Sequence, residues 1–438
     1  MQIIADLHVH SKYSRATSPD LTPEGLYTAA KIKGIDIIGT GDFTHPQYLS
    51  ELKEQLQESP EYPGFFYLKE SSIRSNGSKF PIFMLTTEVA CIYSQDGRGR
   101  RNHIIIIVPD FKTADQLIVD LSGRGANLGS DGRPILGLSS EELAKIALDV
   151  NSQNLVIPSH IWTPWFSAYG SKSGFDSLEQ CFGSMSKHIL AIETGLSSDP
   201  AMNWRIKELD DFAIISNGDA HSSRKVAREA TVFELETVSY QNIIKALKNS
   251  AKLNKTDLPQ DYIKYTIEFY PEEGKYHWDG HRACDVRLAP WQSNQEQNIC
   301  PHCRKPLTLG VMHRVDQLSS RTEEEALAYA RQFRPDFKKI VPLEEIVADA
   351  LGQNTGTKKV RQFYDQLIKK GDSELKILLV LSYSQLKKIT LPEIAEGIKR
   401  VRNGQIHVNP GFDGAFGQVK IFTKDEREKI AGAQAKLF

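Results

Sequence analysis

The chain has 438 residues, of which 40% are hydrophobic and 25% charged, and its formal net charge is −1. This composition excludes a disordered chain, and the length predicts more than one domain. No apolar run approaches the ~20 residues of a membrane span, and Asp6 stands where a signal peptide would be basic, so we expect a cytoplasmic protein without membrane contact. Five cysteines are too few and too scattered for a disulfide framework.

The first apolar run ends in two histidines one residue apart, His8 and His10. Side chains alternate between the two faces of a strand, so both imidazoles leave the same face. Paired histidines also occur in cores, where hydrogen bonds satisfy a neutral imidazole. The pair therefore indicates a metal site if other strands end in ligands as well.

The segment that follows predicts a strand, a helix and a second strand. A threonine and a proline at 22–23 begin the helix, Gly34 ends it, and a buried strand at 35–39 stops just before Asp42. This order begins a parallel α/β unit.

The same order recurs through the first 250 residues. Further apolar runs lie at 82–85, 155–157, 190–192 and 212–215, and helices are predicted near 112–121, 140–149, 199–209, 222–229 and 239–248. About seven units result, which predicts an α/β barrel whose strand ends gather ligands at one mouth. The candidate metal ligands are His8, His10, Asp42, Glu88, His103, His160, Glu193, Asp219 and His221. His103 precedes its apolar run, so we expect it to reach the site from an irregular loop.

Mixed imidazoles and carboxylates favour zinc, manganese, magnesium or iron over calcium. Nine candidates are too many for one tetrahedral ion, so we expect two or three divalent metals, with Glu88 bridging. Such clusters hydrolyse phosphoesters, and we assign catalytic roles to Asp219, Glu88 and His160. The alternatives are a capping or outer role for Glu193 and a structural contact for His103.

Two motifs carry a family resemblance. Asp-Leu-His-Val-His-Ser at 6–11 and Gly-Asp-Ala-His at 218–221 resemble the polymerase and histidinol phosphatase (PHP) superfamily over about residues 1–255. The resemblance implies a distorted (βα)7 barrel with a trinuclear metal site. Members commonly carry Thr-Asp-His after the second strand, whereas this chain has Gly-Asp-Phe. We expect Asp42 to replace that ligand, with His45 as the alternative.

A second metal site is predicted in the middle segment, 256–340. Its candidate ligands are His281, Cys284, Cys300 and Cys303, in two knuckles with two residues between the paired ligands. This spacing is typical of a closed structural zinc site. Unligated cysteines that pack as small hydrophobes are the alternative, and His277 or His302 is the alternative fourth ligand. Such a zinc would fold the segment and leave the chemistry to the barrel.

The last segment, 341–438, is predicted to be a mainly helical basic domain. Residues 354–404 hold eleven Lys/Arg against five Asp/Glu. A turn that contains two glycines precedes a helix that begins near Lys358 and Lys359. The backbone amides at the start of such a helix, with lysines beside them, can bind a phosphate. A solvated charged helix is the alternative.

A second basic run, 399–402, ends at an Asn-Gly pair. This pair predicts a hairpin-type turn before strands at 405–408 and 416–422. Two basic elements in one module favour a nucleic-acid backbone as the ligand.

The order of barrel, zinc segment and basic tail resembles the endonuclease Q family over essentially the whole chain. Cys-Pro-His-Cys at 300–303 and Arg-Lys-Pro-Leu-Thr-Leu-Gly-Val-Met-His-Arg-Val at 304–315 carry the resemblance in the zinc segment. It implies a DNA repair endonuclease that cuts single- or double-stranded DNA on the 5′ side of uracil, hypoxanthine or xanthine, and at abasic sites.

Three alternatives concern activity and partners. A PHP-type small-molecule phosphomonoesterase would need neither the zinc segment nor the basic tail. A catalytically inactive DNA-binding module would be expected to lack several ligands. A sliding clamp is a conceivable partner, although no motif in the sequence supports it.

Base choice requires a pocket for an unstacked base, usually against aromatic side chains. The aromatic candidates directly after His160 are Trp162, Trp165 and Tyr169. A rigid loop packed on the barrel rim is the alternative. The arginines at 98, 100 and 101 lie between Glu88 and His103, and Arg101 is our candidate for holding phosphate, with an exposed turn as the simpler interpretation.

Overall fold

The computed structural model describes residues 1–69, 81–423 and 425–427. Strands and helices alternate through much of the first 251 residues, apart from four successive strands in the described part of residues 56–108. The strands are β1 (Gln2–Asp6), β2 (Ile37–Gly39), β3 (Leu56–Glu58), β4 (Phe66–Leu68), β5 (Ile82–Gln95), β6 (Arg98–Val108), β7 (Ile135–Leu136), β8 (Leu155–Pro158), β9 (Ala191–Glu193), β10 (Ala213–Ile215) and β11 (Ala230–Glu234). The helices are α1 (Pro23–Lys33), α2 (Pro46–Gln55), α3 (Phe111–Gly123), α4 (Ser140–Val150), α5 (Leu178–Phe182), α6 (Pro200–Asn203) and α7 (Tyr240–Ala251).

Strand β1 is central to the sheet. It pairs in parallel with β2 and antiparallel with β11, and β2 pairs in parallel with β5. β5 and β6 form a long antiparallel hairpin, β6 pairs antiparallel with β8, and β9 pairs in parallel with β10. The predicted α/β class with a distorted barrel is confirmed, and the antiparallel hairpin is one source of the distortion.

Alternate residues along the strands build two apolar cores, as the period of two requires. Ile82 and Met84 on β5 belong to one core with Ile105 on β6, whereas Phe83 and Ile104 belong to the other. Helices cover the second core; Leu117 of α3 and Leu143 of α4 are among its members. The strands in the middle of the sheet are therefore buried on both faces.

The middle segment extends the barrel sheet. It contains β12 (Tyr262–Glu268), β13 (Asp279–His281), β14 (Val286–Leu288), α8 (Pro290–Gln295), α9 (Val311–Leu318), α10 (Glu323–Phe333) and β15 (Asp336–Lys339). β12 pairs with β11, and β15 pairs with β12. The sheet thus continues past residue 255, and the domain boundaries proposed from the sequence stay predictions.

The last segment is mainly helical, as predicted. It contains α11 (Leu343–Leu351), α12 (Lys358–Gly371), α13 (Glu374–Leu379), α14 (Tyr383–Ile389), α15 (Pro392–Arg402), β16 (His407–Asn409) and β17 (Gln418–Lys420). Asn403 and Gly404 end α15, and residues 410–417 connect the two hairpin strands. The expected hairpin turn at the Asn-Gly pair is therefore wrong, because those residues terminate a helix instead.

A buried ion pair joins this segment to the barrel. The Lys33 ammonium at the end of α1 lies 2.6 Å from the Glu374 carboxylate on α13. Glu374 also accepts hydrogen bonds from the Tyr364 hydroxyl (2.6 Å) and the Leu343 amide (3.1 Å). None of the helices in the described part of the chain has the length and apolarity that a bilayer crossing requires.

Candidate metal centre

The two N-terminal histidines lie on the extended chain just beyond β1. A β-bridge between Val9 and Ala220 holds this chain against the segment that follows β10. His8 and His10 are buried, with ring centroids 5.4 Å apart. The register therefore brings the first and the last sequence motifs of the barrel side by side.

Three overlapping groups of ligand atoms converge at this end of the barrel. The groups are His8, His10 and Glu88; His10, Asp219 and His221; and Glu88, His103 and His160, with the ligand atoms of each group within 4.8 Å of one another. Glu88 and His10 each belong to two groups. Seven of the nine predicted ligands are thus brought together and could hold more than one divalent ion.

Glu88 lies in the middle of the described centre. One of its oxygens, Oε1, lies 3.3 Å from His8 Nε2, 3.3 Å from His103 Nδ1 and 3.3 Å from His160 Nε2. The other oxygen, Oε2, lies 3.6 Å from His10 Nε2. A carboxylate between two sets of imidazoles is placed to bridge two ions.

Two of the predicted ligands lie behind the histidines instead. Asp42 Oδ1 lies 3.1 Å from His10 Nδ1, and both Glu193 oxygens lie 3.0 Å from His8 Nδ1. Each carboxylate thus contacts the ring nitrogen turned away from the grouped atoms, where it orients the imidazole. His45, the alternative to Asp42, stacks on Tyr13 with ring centroids 4.4 Å apart and joins none of the groups found among the described residues.

These outer carboxylates are themselves held by hydrogen bonds. Asp42 Oδ2 accepts from the Ser11 amide (2.6 Å) and from the hydroxyls of Ser11 (2.7 Å) and Ser14 (2.9 Å). Glu193 accepts from the His160 amide (2.8 Å) and the Asn217 side-chain amide (2.8 Å). The two imidazoles are consequently fixed before any ion binds.

Three residues of the centre have strained backbones. Asp42, His160 and Asp219 have φ values of 46°, 28° and 44°, in a region that side chains with a Cβ rarely adopt. Each follows the end of a strand, β2, β8 or β10. Strain of this kind concentrates at functional sites, so the backbone supports the location that the ligand groups indicate.

His103 occupies β6 itself and not an irregular loop. It pairs with Ala90 across the β5–β6 hairpin. Its imidazole reaches Glu88 because the two residues lie on neighbouring strands of one ladder. The expected loop position was wrong because the polar residues 98–103 do not have the apolar pattern of a barrel strand.

The protonation of the centre balances its carboxylates. Burial alone would lower the pKa of His10, but Asp42 and Asp219 raise it to about 9. Burial would raise the pKa of Glu88, but His103 and His8 hold it well below its ordinary value. Protons on His8 and His10, whose pKa values are raised, therefore supply part of the positive charge that divalent ions would supply when they displace those protons.

The donor set fits divalent metals. His8 Nε2 and Glu88 Oε1 are buried without a hydrogen-bond partner, although they lie only 3.3 Å apart. Two donors at about 2.0–2.2 Å from a common ion are roughly 3–3.6 Å apart, which is the spacing seen here. Without an ion, these two buried atoms would be costly to leave unpaired.

A second group lies around the β13–β14 hairpin. A ring nitrogen of His281 and the sulfurs of Cys284, Cys300 and Cys303 lie within 4.8 Å of one another, and His281 Nδ1 lies 3.6 Å from Cys303 Sγ. A tetrahedral ion with bonds of about 2.1–2.3 Å separates its ligands by roughly 3.6 Å. His277 and His302 lie outside this group, and the four predicted residues could bind a metal.

Comparisons with known proteins cover parts or all of the chain. Residues 342–405 match a family model described as the MJ0043 C-terminal domain. The uncharacterized protein MJ0043 of Methanocaldococcus jannaschii is 31% identical over 263 residues, which are 59% of this chain and 31% of that protein. The uncharacterized protein YqxK of Bacillus subtilis is 27% identical over 433 residues, which are 96% of this chain and 99% of that protein. The chain thus spans about a third of MJ0043 but nearly all of YqxK.

Two solved structures match nearly the whole chain. The lesion-specific endonuclease PfuEndoQ of Pyrococcus furiosus has a TM-score of 0.80 and 28% identity over 96% of this chain and 95% of its own. This chain is therefore similar to that endonuclease in structure along nearly its whole length. An endonuclease Q structure in complex with a 27-mer duplex carrying an abasic lesion at the active site has a TM-score of 0.79 and 28% identity over 97% and 98%. The resemblance to endonuclease Q inferred from the sequence is confirmed, whereas the comparisons give no support for a sliding clamp.

The predicted base-contacting residues divide into buried and exposed ones. Trp162 and Tyr169 are buried, Trp162 donates from Nε1 to Asn203 (2.8 Å), and the Tyr169 hydroxyl donates to Glu208 (2.6 Å). Trp165 is 42% exposed, and its ring lies 6.0 Å from that of Tyr276. In this endonuclease Q-type fold, Trp165 alone of the three can meet a base without repacking of the loop.

The predicted phosphate-contacting residues are exposed. Arg101 lies over the ring of Phe166, 5.8 Å from its centroid. Lys358 and Lys359 form the first turn of α12. All three side chains are free to meet an anion, and their roles stay predictions.

Sequence reasoning missed one residue at the centre. Arg133 donates from Nη1 to Glu88 Oε2 at 3.1 Å. It lies in the connection between α3 and β7, which follows no strand and repeats no motif. No periodicity or spacing in the sequence could have indicated it.

Proposed function

We propose that this chain is a metal-dependent DNA repair endonuclease that hydrolyses the phosphodiester bond on the 5′ side of a deaminated base, such as uracil, hypoxanthine or xanthine, or at an abasic site. The observation that supports this proposal most strongly is the convergence of three ligand groups on Glu88 and His10, in a chain that matches endonuclease Q structures along nearly its whole length.

The ligand roles follow from the contacts. We assign metal binding to the seven grouped residues His8, His10, Glu88, His103, His160, Asp219 and His221, with Glu88 shared between ions. Asp42 and Glu193 hold the Nδ1 atoms of His10 and His8, so that both Nε2 atoms face the centre. When bound, two or three ions of zinc, manganese, magnesium or iron would act as Lewis acids toward the phosphate and lower the pKa of a water.

The remaining parts bind the DNA. The Phe166 ring packs on the His103 ring with centroids 4.6 Å apart, and the exposed Trp165 is the neighbouring residue in the chain. We assign to Trp165 the stacking of an unpaired base, because aromatic faces accept any base. Lys358 and Lys359 contact backbone phosphates beside the first amides of α12.

The His/Cys group has a structural role in this proposal. The apolar core around it consists, among the described residues, of Val286, Cys300 and Leu307 with three partly buried neighbours. So small a core cannot fold the hairpin by itself. A bound zinc would supply the missing stability, as it does in other small zinc modules.

The test is a set of duplexes that each carry one modified base, incubated with metal-loaded protein. We expect one nick on the 5′ side of the lesion, and we expect it to disappear with chelator. Asp219→Asn should abolish the nick while DNA binding persists, since Asp219 lies 3.1 Å from His10 Nε2. Asp211→Asn, on an exposed residue that pairs with Lys252, is the matched control.

Two results would contradict the proposal. A phosphomonoesterase would release phosphate from p-nitrophenyl phosphate and leave every duplex intact. An inactive binding module would retain lesion duplexes on a gel without a nick in any metal.

A further inference from the structure

We propose that Arg133 binds a non-bridging oxygen of the scissile phosphate and stabilises the negative charge that grows there during hydrolysis. The inference rests on the proposed function and extends it to a residue outside the ligand groups. It follows from the position of the loop between α3 and β7, which holds the Arg133 guanidinium against Glu88.

The loop that carries Arg133 is pinned on both sides. The Gly132 amide donates to the Tyr13 carbonyl (2.9 Å), and the Pro134 carbonyl accepts from the Ala90 amide (3.0 Å). Asp131 Oδ1 accepts from the Arg133 amide at 3.0 Å. The backbone of Arg133 is therefore fixed between β5 and the turn that follows His10.

Gly132 permits an unusually close approach of this loop. A Cβ at that position would lie 2.4 Å from Asp42 Oδ2 and 2.5 Å from the Ser14 hydroxyl. Neither atom can withdraw easily, because both belong to the hydrogen-bond set that holds His10. Only glycine lets the loop lie directly against the metal centre.

The guanidinium faces both the centre and solvent. Nη1 donates to Glu88 Oε2, and the side chain keeps 25% of its surface exposed. Among the described residues, Glu88 is the one side chain that it hydrogen-bonds, so most of its five donors stay available. The guanidinium N–H groups that do not bond to Glu88 can donate to a phosphate oxygen that approaches from solvent.

Metal loading would strengthen this role. Ions held by Glu88 would repel the guanidinium and weaken its bond to that carboxylate, since like charges a few ångströms apart repel strongly in a buried site. A phosphate that enters between the ions and Arg133 would attract both. In the metal-loaded protein, Arg133 would therefore bind the substrate phosphate more strongly than it binds Glu88.

The other arginines of the region do not compete for this position. Arg100 is buried and donates to the Gly174 carbonyl, and Arg101 lies over Phe166. In the described part of the chain, Arg133 is the arginine whose guanidinium pairs with a carboxylate of the three ligand groups.

The chemistry assigned to Arg133 is electrostatic. A water oxygen bonds to phosphorus, the bond from phosphorus to the leaving sugar oxygen breaks, and that oxygen gains a proton. Arg133 keeps its own protons throughout, because a guanidinium does not titrate in this range. Arg133 contributes its positive charge and the paired N–H donors of its guanidinium, which bind the non-bridging oxygen.

The test compares Arg133→Gln and Arg133→Lys with Arg15→Gln. Arg15 is a matched control because it joins the same loop through Asp131 but is 87% exposed. We expect Arg133→Gln to lower the single-turnover cleavage rate by about 10²–10³-fold. Metal content and melting temperature should match wild type, and the duplex Kd should stay within a few-fold of it. Arg133→Lys should recover part of the rate, since lysine keeps the positive charge but lacks the paired N–H donors of a guanidinium.

A second measurement uses the two phosphorothioate diastereomers at the scissile linkage. The rate loss of Arg133→Gln should shrink with the diastereomer whose sulfur replaces the contacted oxygen. Equal losses with both diastereomers, a rate within threefold of wild type, or a metal content that falls in step with the rate would each overturn the assignment. If the wild-type protein nicks no lesion duplex, the proposed function and this assignment fail together; if only the variant matches wild type, this assignment fails alone.

Discussion

The buried pair between Lys33 and Glu374 gives the most quantitative prediction. Both side chains are nearly buried, at 10% and 4% exposure, and removing one partner of such a pair typically costs 3–5 kcal/mol. Lys33→Met leaves the Glu374 carboxylate with two donors, the Tyr364 hydroxyl and the Leu343 amide. We therefore expect a loss near the lower limit, about 3 kcal/mol in the free energy of unfolding of the C-terminal helices.

Urea denaturation followed by circular dichroism measures this loss, because the C-terminal segment is mainly helical. Lys31→Met, on an exposed residue of the same helix, is the matched control and should change stability by less than about 0.5 kcal/mol. The double variant Lys33→Met/Glu374→Gln should recover part of the loss, since it removes the uncompensated charge. If Lys33→Met is no more destabilising than the control, the pair does not hold the segment to the barrel.

Three further predictions concern the metal centres. His10 has a raised pKa of about 9, so its contribution to the stability of the metal-free protein is complete below about pH 6.5 and is lost as pH rises through 9. Thermal melts of chelated protein between pH 6.5 and 9.5 should therefore show a falling melting temperature, and a rise would contradict the charge balance. Cys300→Ser should remove one metal equivalent by mass spectrometry and unfold the hairpin around it, while the barrel keeps its metals; loss of all metals would refute two independent sites. Gly132→Ala should weaken metal binding and cleavage by about 10–100-fold, because its Cβ meets Asp42 and disturbs the carboxylate that orients His10. Gly137→Ala, with nothing within 4 Å, should leave both unchanged.

The parts of the site that the sequence predicted are those that depend on local periodicity. The alternation of a strand placed His8 and His10 on one face, and the end of the apolar run at 212–215 located Asp219 and His221. The Cys/His spacing identified the four residues of the second group. Each of these inferences needed only the residues within one segment.

The parts that the sequence did not predict depend on long-range packing. Glu88 reads as the residue where a strand stops, yet it lies inside β5, a strand of 14 residues paired with β6. Trp162 and Tyr169 looked like a surface for bases, but side-chain direction in a loop follows no period, and both are buried. Arg133 reaches the centre through a loop whose path is set by Tyr13 and Ala90, far away in sequence.

The pairing of β1 with β11 has a consequence for biosynthesis. The first strand can complete its ladder only with residues 230–234, and His10 meets Asp219 and His221 only after the intervening chain is present. Contacts so distant in sequence form late and slowly. A ribosome-bound fragment that ends before this point would expose the imidazoles of an unclosed barrel, so metal uptake should follow translation of the eleventh strand.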